Sequence, residues 1–384
     1  MEPIRRLERI FALAYALFSR PVRRYFRYEW DDLSGIPGPF LLLVNHNTDL
    51  DPVFVGMASR RYLCFVASEH VARRPLAAKL LDFCFRPILH RKGRTGSDTT
   101  LNILRTIRRG VSVCLFPEGN RSFTGLTGPI PDVAGRLARR TGAPLVTFRL
   151  EGGYFTQPRW GFGLRRGRLR GRLVGVYAPE RLRAMTDAEA AETVRRDLFE
   201  DAYARQEEER TAYPNKTPAR GLPAALFACP RCGGMGSLRS AGDRVTCSCG
   251  FYARLDEYGA LSGPDCPFGR IDRWDAWQRA ALAEKRRAAG AEPLFSDEVT
   301  VQLIGPDHRP ERTLRGTLAG FADGFAFDGR RLSAQEVDGA AIYSRSVLVA
   351  HTGGRHCEIR SADGADDFSA LKYLYLYELI KGNT

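Results

Sequence analysis

No run of apolar residues in this sequence is long enough to cross a bilayer. The most apolar early stretch, Ile10–Ser19, is about ten residues long, and a spanning helix needs roughly 20. It also lacks the small-residue cleavage site of a signal peptide. Acidic groups are in short supply: 44 Asp and Glu stand against 58 Lys and Arg, a net charge of +14. The shortage is confined to the front of the chain. Residues 1–220 hold 38 basic and 23 acidic groups, whereas residues 221–384 hold 20 and 21. A positive front half attracts phosphate on nucleic acid, anionic lipid or a small molecule, and charge alone does not choose among them. Internal repeats and low-complexity tracts are absent. The nine cysteines lack the spread of a disulfide framework. Cys64, Cys84 and Cys114 lie in apolar or mixed surroundings and read as core.

What is present begins with arginine and aromatics. Arg5, Arg6 and Arg9 precede the apolar stretch, and Arg20, Arg23, Arg24 and Arg27 follow it, interleaved with Phe11, Tyr15, Phe18, Tyr25 and Trp30. That pattern predicts an N-terminal segment, residues 1–38, lying in a membrane interface; an ordinary helix packed on the core is the plainer alternative. From residue 39 short apolar runs alternate with helical stretches, the rhythm of an α/β domain. Helices are expected over Arg74–Leu89 and Gly96–Arg109. Thr186 and Glu189 form a capping box opening a helix to about Arg210. The domain is placed at 39–212, and YPNKTPARGLP is read as a linker at 213–225.

Behind the linker, CPRCGG and TCSCGF present Cys229, Cys232, Cys247 and Cys249 as two close pairs. Two such pairs a hairpin apart are the pattern of a zinc ribbon, expected at 226–265, with structural zinc and a reducing compartment. Four thiolates leave no open position, so no catalytic metal is expected. Cys266 is a spare candidate ligand. A connecting helix (266–294, helical over Asp272–Ala289) leads to a small, mostly-β module at 295–384 that closes with a helix, with a PH-like arrangement as a fold-level analogy. A basic chain with a zinc ribbon raises nucleic-acid binding as a rival. The ribbon is not the basic region, however, and no nucleic acid is expected.

Two polar clusters follow buried strands. FLLLV (Phe40–Val44) runs into NHNTDLDP, and Val113–Phe116 into PEGNRS. Sites in open α/β sheets form at strand C-termini. His46 and Asp51 are five residues apart and do not share a helix face. They meet if His46 precedes the helix and Asp51 lies in its first turn, where the dipole favours a carboxylate. Such a carboxylate fixes the tautomer and makes the histidine a general base. Gly119 permits close approach of backbone to a ligand. Arg121 offers a fork for phosphate, and Arg91, Lys92 and Arg94 lie between the two clusters.

NH-x4-D followed by FPEG-x-R resembles the glycerolipid acyltransferases of the lysophosphatidic acid acyltransferase type. The resemblance spans roughly residues 10–205. Ile88-Leu-His-Arg91 and Gly142-Ala-Pro-Leu-Val146 align with two further blocks. Asn120 stands where the family has Thr, and His90 where Asp is common. The resemblance implies a mixed sheet flanked by helices. It also implies a direct transfer in which His46, oriented by Asp51, takes the proton of an acceptor hydroxyl that attacks an acyl-CoA or acyl-carrier-protein thioester. Arg91 and Arg121 would hold the acceptor phosphate, Glu118 its glycerol hydroxyl, and backbone near Gly119 the oxyanion. The implied acceptor is a lysophospholipid, foremost 1-acylglycerol-3-phosphate, with glycerol-3-phosphate or another lysolipid as alternatives. The implied place is the inner, cytoplasmic face of a membrane, with acyl-carrier protein as a partner if it is the donor.

Overall fold

The computed structural model describes residues 2–68, 85–90, 97–305 and 309–382. The chain forms two compact units, one of residues 1–158 and 164–211 and one of residues 159–163 and 212–384.

The N-terminal unit is built on one mixed sheet. Its strands are β1 (Tyr28–Trp30), β2 (Leu41–Val44), β3 (Cys64–Ser68), β4 (Ile88–His90), β5 (Val113–Leu115), β6 (Leu145–Glu151) and β7 (Leu169–Tyr177). They lie in the order β1-β7-β6-β2-β5-β3-β4. Strands β6, β2, β5, β3 and β4 run parallel, and β7 turns back antiparallel to β6. The helices are α1 (Glu2–Phe26), α2 (Asp51–Ser59), α3 (Ser97–Arg108), α4 (Val133–Arg140), α5 (Gly153–Thr156), α6 (Pro179–Ala184), α7 (Asp187–Leu198) and α8 (Ala202–Glu209). Strand β2 is apolar throughout because both its faces are covered. Leu41 and Leu43 join Ile103, Ile107, Leu137 and Val194 on one side. Phe40, Leu42 and Val44 join Phe54, Val55 and Phe148 on the other. Packing on both sides fixes where β2 ends, and so where the next residues emerge.

Helix α1 is longer than its apolar centre suggested. It buries Leu7 and Phe26 and packs Phe11, Tyr15 and Val22 on the core. Its outer face leaves Leu13, Leu17 and Phe18 63%, 59% and 61% exposed. Residues 28–30, expected within a separate N-terminal segment, pair with β7 and belong to the sheet. Of the expected helix Arg74–Leu89, residues 74–84 lie outside the described residues, and Ile88–His90 is a strand paired with β3. The Thr186–Glu189 capping box is present in both halves. The helix it opens stops at Leu198, and Asp201 caps a new one through Tyr203 N and Ala204 N. Among the described residues no helix is long and apolar enough to cross a membrane.

The C-terminal unit takes in two separate pieces of chain. Arg159–Gly163 belongs to it: Arg159 donates to the Ile342 and Ser344 carbonyls at 2.8 and 2.9 Å, and Trp160 is fully buried. The stretch expected as a linker at 213–225 is folded. Tyr213 N donates to Glu257 O, Ala219 N donates to Gly242 O, and Leu222, Ala224 and Ala225 are buried. Its prolines and glycines make packed turns rather than free chain. Then come β8 (Leu238–Ala241), β9 (Arg244–Cys247), β10 (Tyr252–Leu255) and β11 (Leu261–Ser262), an antiparallel sheet, followed by α9 (Ile271–Ala288).

The remaining strands are β12 (Phe295–Ile304), β13 (Pro310–Gly320), β14 (Gly324–Phe327), β15 (Arg330–Ser333), β16 (Val337–Tyr343), β17 (Val347–Thr352) and β18 (Arg355–Ser361). Two meanders, β12–β15 and β16–β18, join through the β12–β18 pair into one antiparallel sheet. Helix α10 (Ala370–Lys381) closes the chain and packs on β16 and β17. Strands β15 and β16 went unseen in the sequence; the first completes a hairpin through Asp328-Gly329, both at positive φ.

Candidate active site and metal centre

Strand β2 ends at Val44 and α2 begins at Asp51, so Asn45–Leu50 is a tight loop at the C-terminal edge of the parallel strands. The loop folds around the Asp51 carboxylate, which is fully buried. Asp51 Oδ2 accepts from Asn47 N at 2.7 Å and Thr48 N at 3.0 Å, and Oδ1 accepts from Thr48 Oγ1 at 2.6 Å. The same Oδ2 lies 2.8 Å from His46 Nδ1. Asp51 therefore holds its own loop and the imidazole with one group. Phe116 stacks on the ring at 4.6 Å between centroids. Among the described residues Nε2 has no hydrogen-bond partner, and the His46 side chain keeps 23% of its surface open. One ring nitrogen is thus committed to a carboxylate and the other is available, which is the arrangement a general base requires.

Glu118 lies beside the His46 loop. Its Oε1 accepts from His46 N at 2.7 Å and its Oε2 from Gly128 N at 2.6 Å. Both oxygens accept from backbone, so Glu118 tethers the His46 loop. Burial pushes its carboxyl up to about 8, against the pull of the two amide donors. Gly119 N donates to Phe116 O within its turn, where Gly119 takes a φ of +67°. That amide is therefore not presented to an oxyanion. Arg121 Nε lies 3.3 Å from Asp49 Oδ1, and its Nη1 donates to Gln157 O at 3.2 Å. Gln157 in turn bonds Asp49 through both ends of its amide. The guanidinium is thus parked on an exposed carboxylate beside the His46 loop. Arg91, Lys92 and Arg94 lie outside the described residues.

Replacing Glu118 by Gln is expected to lower both melting temperature and activity. A protonated carboxyl keeps lone pairs on both oxygens, whereas a Gln amide turns N–H toward N–H at one of the two tethers. An unmet buried donor costs about 1–3 kcal/mol. The raised folded-state value also fixes a sign. The Glu118 contribution to stability is complete below its ordinary value of 4.5 and is lost as pH rises through about 8. Melting curves from pH 4 to 9 should show the wild-type advantage over Glu118→Gln shrinking upward; an advantage that grows with pH contradicts this account.

Sequence reasoning passed over the residues behind the loop. Asn45 and Asn47 flank His46 and are buried, and both reach Glu200, which lies in the break between α7 and α8. The Asp201 cap was the one sequence signal of that break. Gly153 approaches so closely that a β-carbon on it would fall 2.7 Å from Asn47 Cβ.

In the C-terminal unit the sulfurs of Cys229, Cys232, Cys247 and Cys249 all lie within 4.8 Å of one another. Cys229 and Cys249 are 3.7 Å apart, and Cys232 and Cys247 3.8 Å. These are not disulfide distances. Zinc–thiolate bonds of about 2.3 Å place tetrahedral sulfurs roughly 3.8 Å apart. The donor set therefore fits a tetrahedral metal. Each pair sits on a tight turn: Gly233 N donates to Cys229 O, and Gly250 N to Cys247 O. Cys266 is outside the cluster and its thiol bonds Phe268 O.

Residues 27–151 match the family model named Acyltransferase. The matched segment is about a third of the chain and carries His46, Asp51, Glu118 and Arg121. The chain is also similar to a chloroplastic 1-acyl-sn-glycerol-3-phosphate acyltransferase of Brassica napus, 24% identical over 132 residues, 33% of this chain. It spans only 38% of that relative's length. Among solved structures it is similar to the 1-acyl-sn-glycerophosphate acyltransferase PlsC of Thermotoga maritima. That match has a TM-score of 0.41 and 16% identity, and covers 48% of this chain and 77% of the other.

Proposed function

We propose that this protein is an O-acyltransferase that moves a fatty acyl group from a thioester to the hydroxyl of a lysophospholipid, foremost 1-acylglycerol-3-phosphate, giving phosphatidic acid. The observation that carries the reading is the His46 Nδ1–Asp51 bond, with Nε2 left available, inside the segment that matches the acyltransferase model. His46 Nε2 takes the proton of the acceptor hydroxyl. The oxygen attacks the thioester carbonyl carbon, the C–O bond forms and the C–S bond breaks. The leaving thiolate recovers the proton from the imidazolium, which Asp51 stabilises in between. No acyl-enzyme is needed. Arg121 exchanges the Asp49 carboxylate for the acceptor phosphate, where its fork gives two charge-assisted bonds. Acyl-CoA and acyl-carrier protein are the two donor classes. Zinc on the four cysteines would hold the hairpin of β8 and β9 in shape and take no part in transfer.

Helix α1 supports a docking mode. Leu13, Leu17 and Phe18 are exposed between Arg9 on one side and Arg20 and Arg24 on the other. An apolar patch rimmed by arginine suits a helix lying in an anionic bilayer surface. Replacing Leu17 and Phe18 together by Glu should abolish co-sedimentation with phosphatidylglycerol vesicles and leave the melting temperature unchanged, because neither side chain is in the core; retained binding would move the membrane surface elsewhere.

The test of the function is transfer from radiolabelled acyl-CoA to lysophosphatidic acid on vesicles, repeated with acyl-carrier protein, glycerol-3-phosphate and other lysolipids. Labelled phosphatidic acid is the expected product. No acylated product from any pair would reject the reading.

A further inference from the structure

His46 owes its place to the strand before it and the helix after it, yet its backbone is gripped from a third direction. Asn47 Nδ2 donates to Glu200 Oε2 at 2.8 Å and to Leu150 O at 3.1 Å. Asn45 closes a two-way pair with Leu150, donating to its carbonyl at 2.8 Å and accepting from its N–H at 2.7 Å. Glu200 Oε1 accepts from Gly152 N at 3.0 Å and from Arg205 Nη2 at 2.6 Å. One buried carboxylate thus ties the residue after His46 to the end of β6 and to α8. Its backbone reaches the same loop by another route. Glu200 N donates to Thr127 Oγ1 at 2.8 Å, and Thr127 N donates to Glu200 O at 3.1 Å. The next residue, Gly128, supplies the N–H that holds Glu118, whose other oxygen holds His46 N.

We infer that Glu200 is a positioning residue for His46. It fixes the loop on both sides of the imidazole, through Asn47 with its side chain and through Thr127, Gly128 and Glu118 with its backbone. It lies beyond the segment that matches the acyltransferase model, so the histidine of that segment depends on a contribution from the α7–α8 break. Burying this carboxylate is costly unless it is paired. Arg205 and three amide donors meet that need, and the three-residue break between α7 and α8 is what lets the backbone and the side chain of Glu200 face the loop together. Loops holding a catalytic base within a fraction of an ångström require such support.

The inference rests on the acyl-transfer reading for its kinetic arm alone. Glu200→Gln keeps size and shape but turns an N–H toward Asn47 or toward Gly152 and Arg205. It should lower kcat by roughly 10²-fold with KM for lysophosphatidic acid little changed, the signature of a misplaced base. Thr127→Val weakens the backbone route, removing the hydroxyl that accepts from Glu200 N and donates to Leu198 O while leaving the Thr127 N–Glu200 O bond, and should cost roughly fivefold in kcat; it carries the test if Glu200→Gln fails to fold. The second readout is the imidazole ¹⁵N spectrum of histidine-labelled protein, with the His46 signal assigned by its loss in His46→Ala. Both variants should shift or broaden that signal while remaining folded. Folded variants with an unaltered His46 signal and wild-type kcat would overturn the proposal. A perturbed His46 signal in a protein that acylates no acceptor would uphold the positioning role and reject the reaction.

Discussion

Alanine in place of His46 is expected to lower kcat for acyl transfer by about 10³-fold, with KM for the acceptor nearly unchanged, because a general base contributes roughly 10²–10⁴-fold. The ring stacks on Phe116 and makes one bond to Asp51, and the variant should fold and melt much as the wild type does. Asp51→Asn differs. Asp51 accepts from two amides, a hydroxyl and the ring. Asn offers a single oxygen for that set and presents N–H to one donor. It should lose activity to a similar degree and also lower the melting temperature. The contrast between the two variants is the diagnostic result: equal activity in wild type and His46→Ala would remove the imidazole from the reaction, and an undisturbed melt in Asp51→Asn would contradict the loop geometry.

The second large effect concerns metal. Purified reduced protein should hold one zinc per chain, and chelation should unfold the β8–β9 hairpin and the turns flanking it that bear Cys229, Cys232, Cys247 and Cys249. Structural zinc is worth about 10–16 kcal/mol in small peptide domains. The effect should spread through the unit, because the hairpin is pinned to α9. Trp274 Nε1 donates to Ala228 O at 2.9 Å, Gln278 Oε1 accepts from Phe227 N at 2.8 Å, and Phe251 meets Trp274 edge-on. Amide exchange should therefore rise over residues 226–288 on chelation and in Cys229→Ser, while amides of β2, β5 and β6 keep their protection. Metal-free protein with unchanged exchange would show that the cysteines need no ion.

Legibility in the sequence followed the physics of each signal. Strands β2, β5 and β6 are apolar because they are covered on both faces, and polar residues begin where cover ends; both site clusters were visible for that reason. The five-residue gap between His46 and Asp51 excluded a shared helix face and required the loop-then-helix geometry that the chain adopts. The Thr186 cap was plain because its bonds are local. What stayed hidden depends on contacts between distant residues. Glu118 looks like a free carboxylate until folding brings Gly128 and His46 to its two oxygens. Glu200 looks like one more acidic residue in a helical stretch until the break at 199–201 turns it inward. Strand β15, RRLS, has no alternation to announce it, although the Asp328-Gly329 turn before it was a readable hairpin signal. The segment at 213–225 has the composition of a linker, and composition does not record what its turns lie against.

The short excursion at 159–163 makes the back of this protein something other than a tail. The C-terminal unit receives Arg159 and Trp160 from the connection between β6 and β7, before the front sheet has received β7. A chain ended at residue 211 would keep that excursion and lose the Ile342 and Ser344 carbonyls to which Arg159 donates. The chain must therefore hold Arg159 in reserve until Ile342 and Ser344 have been made, 183 and 185 positions later, and neither half can be trimmed away cleanly at the boundary that its sequence suggests.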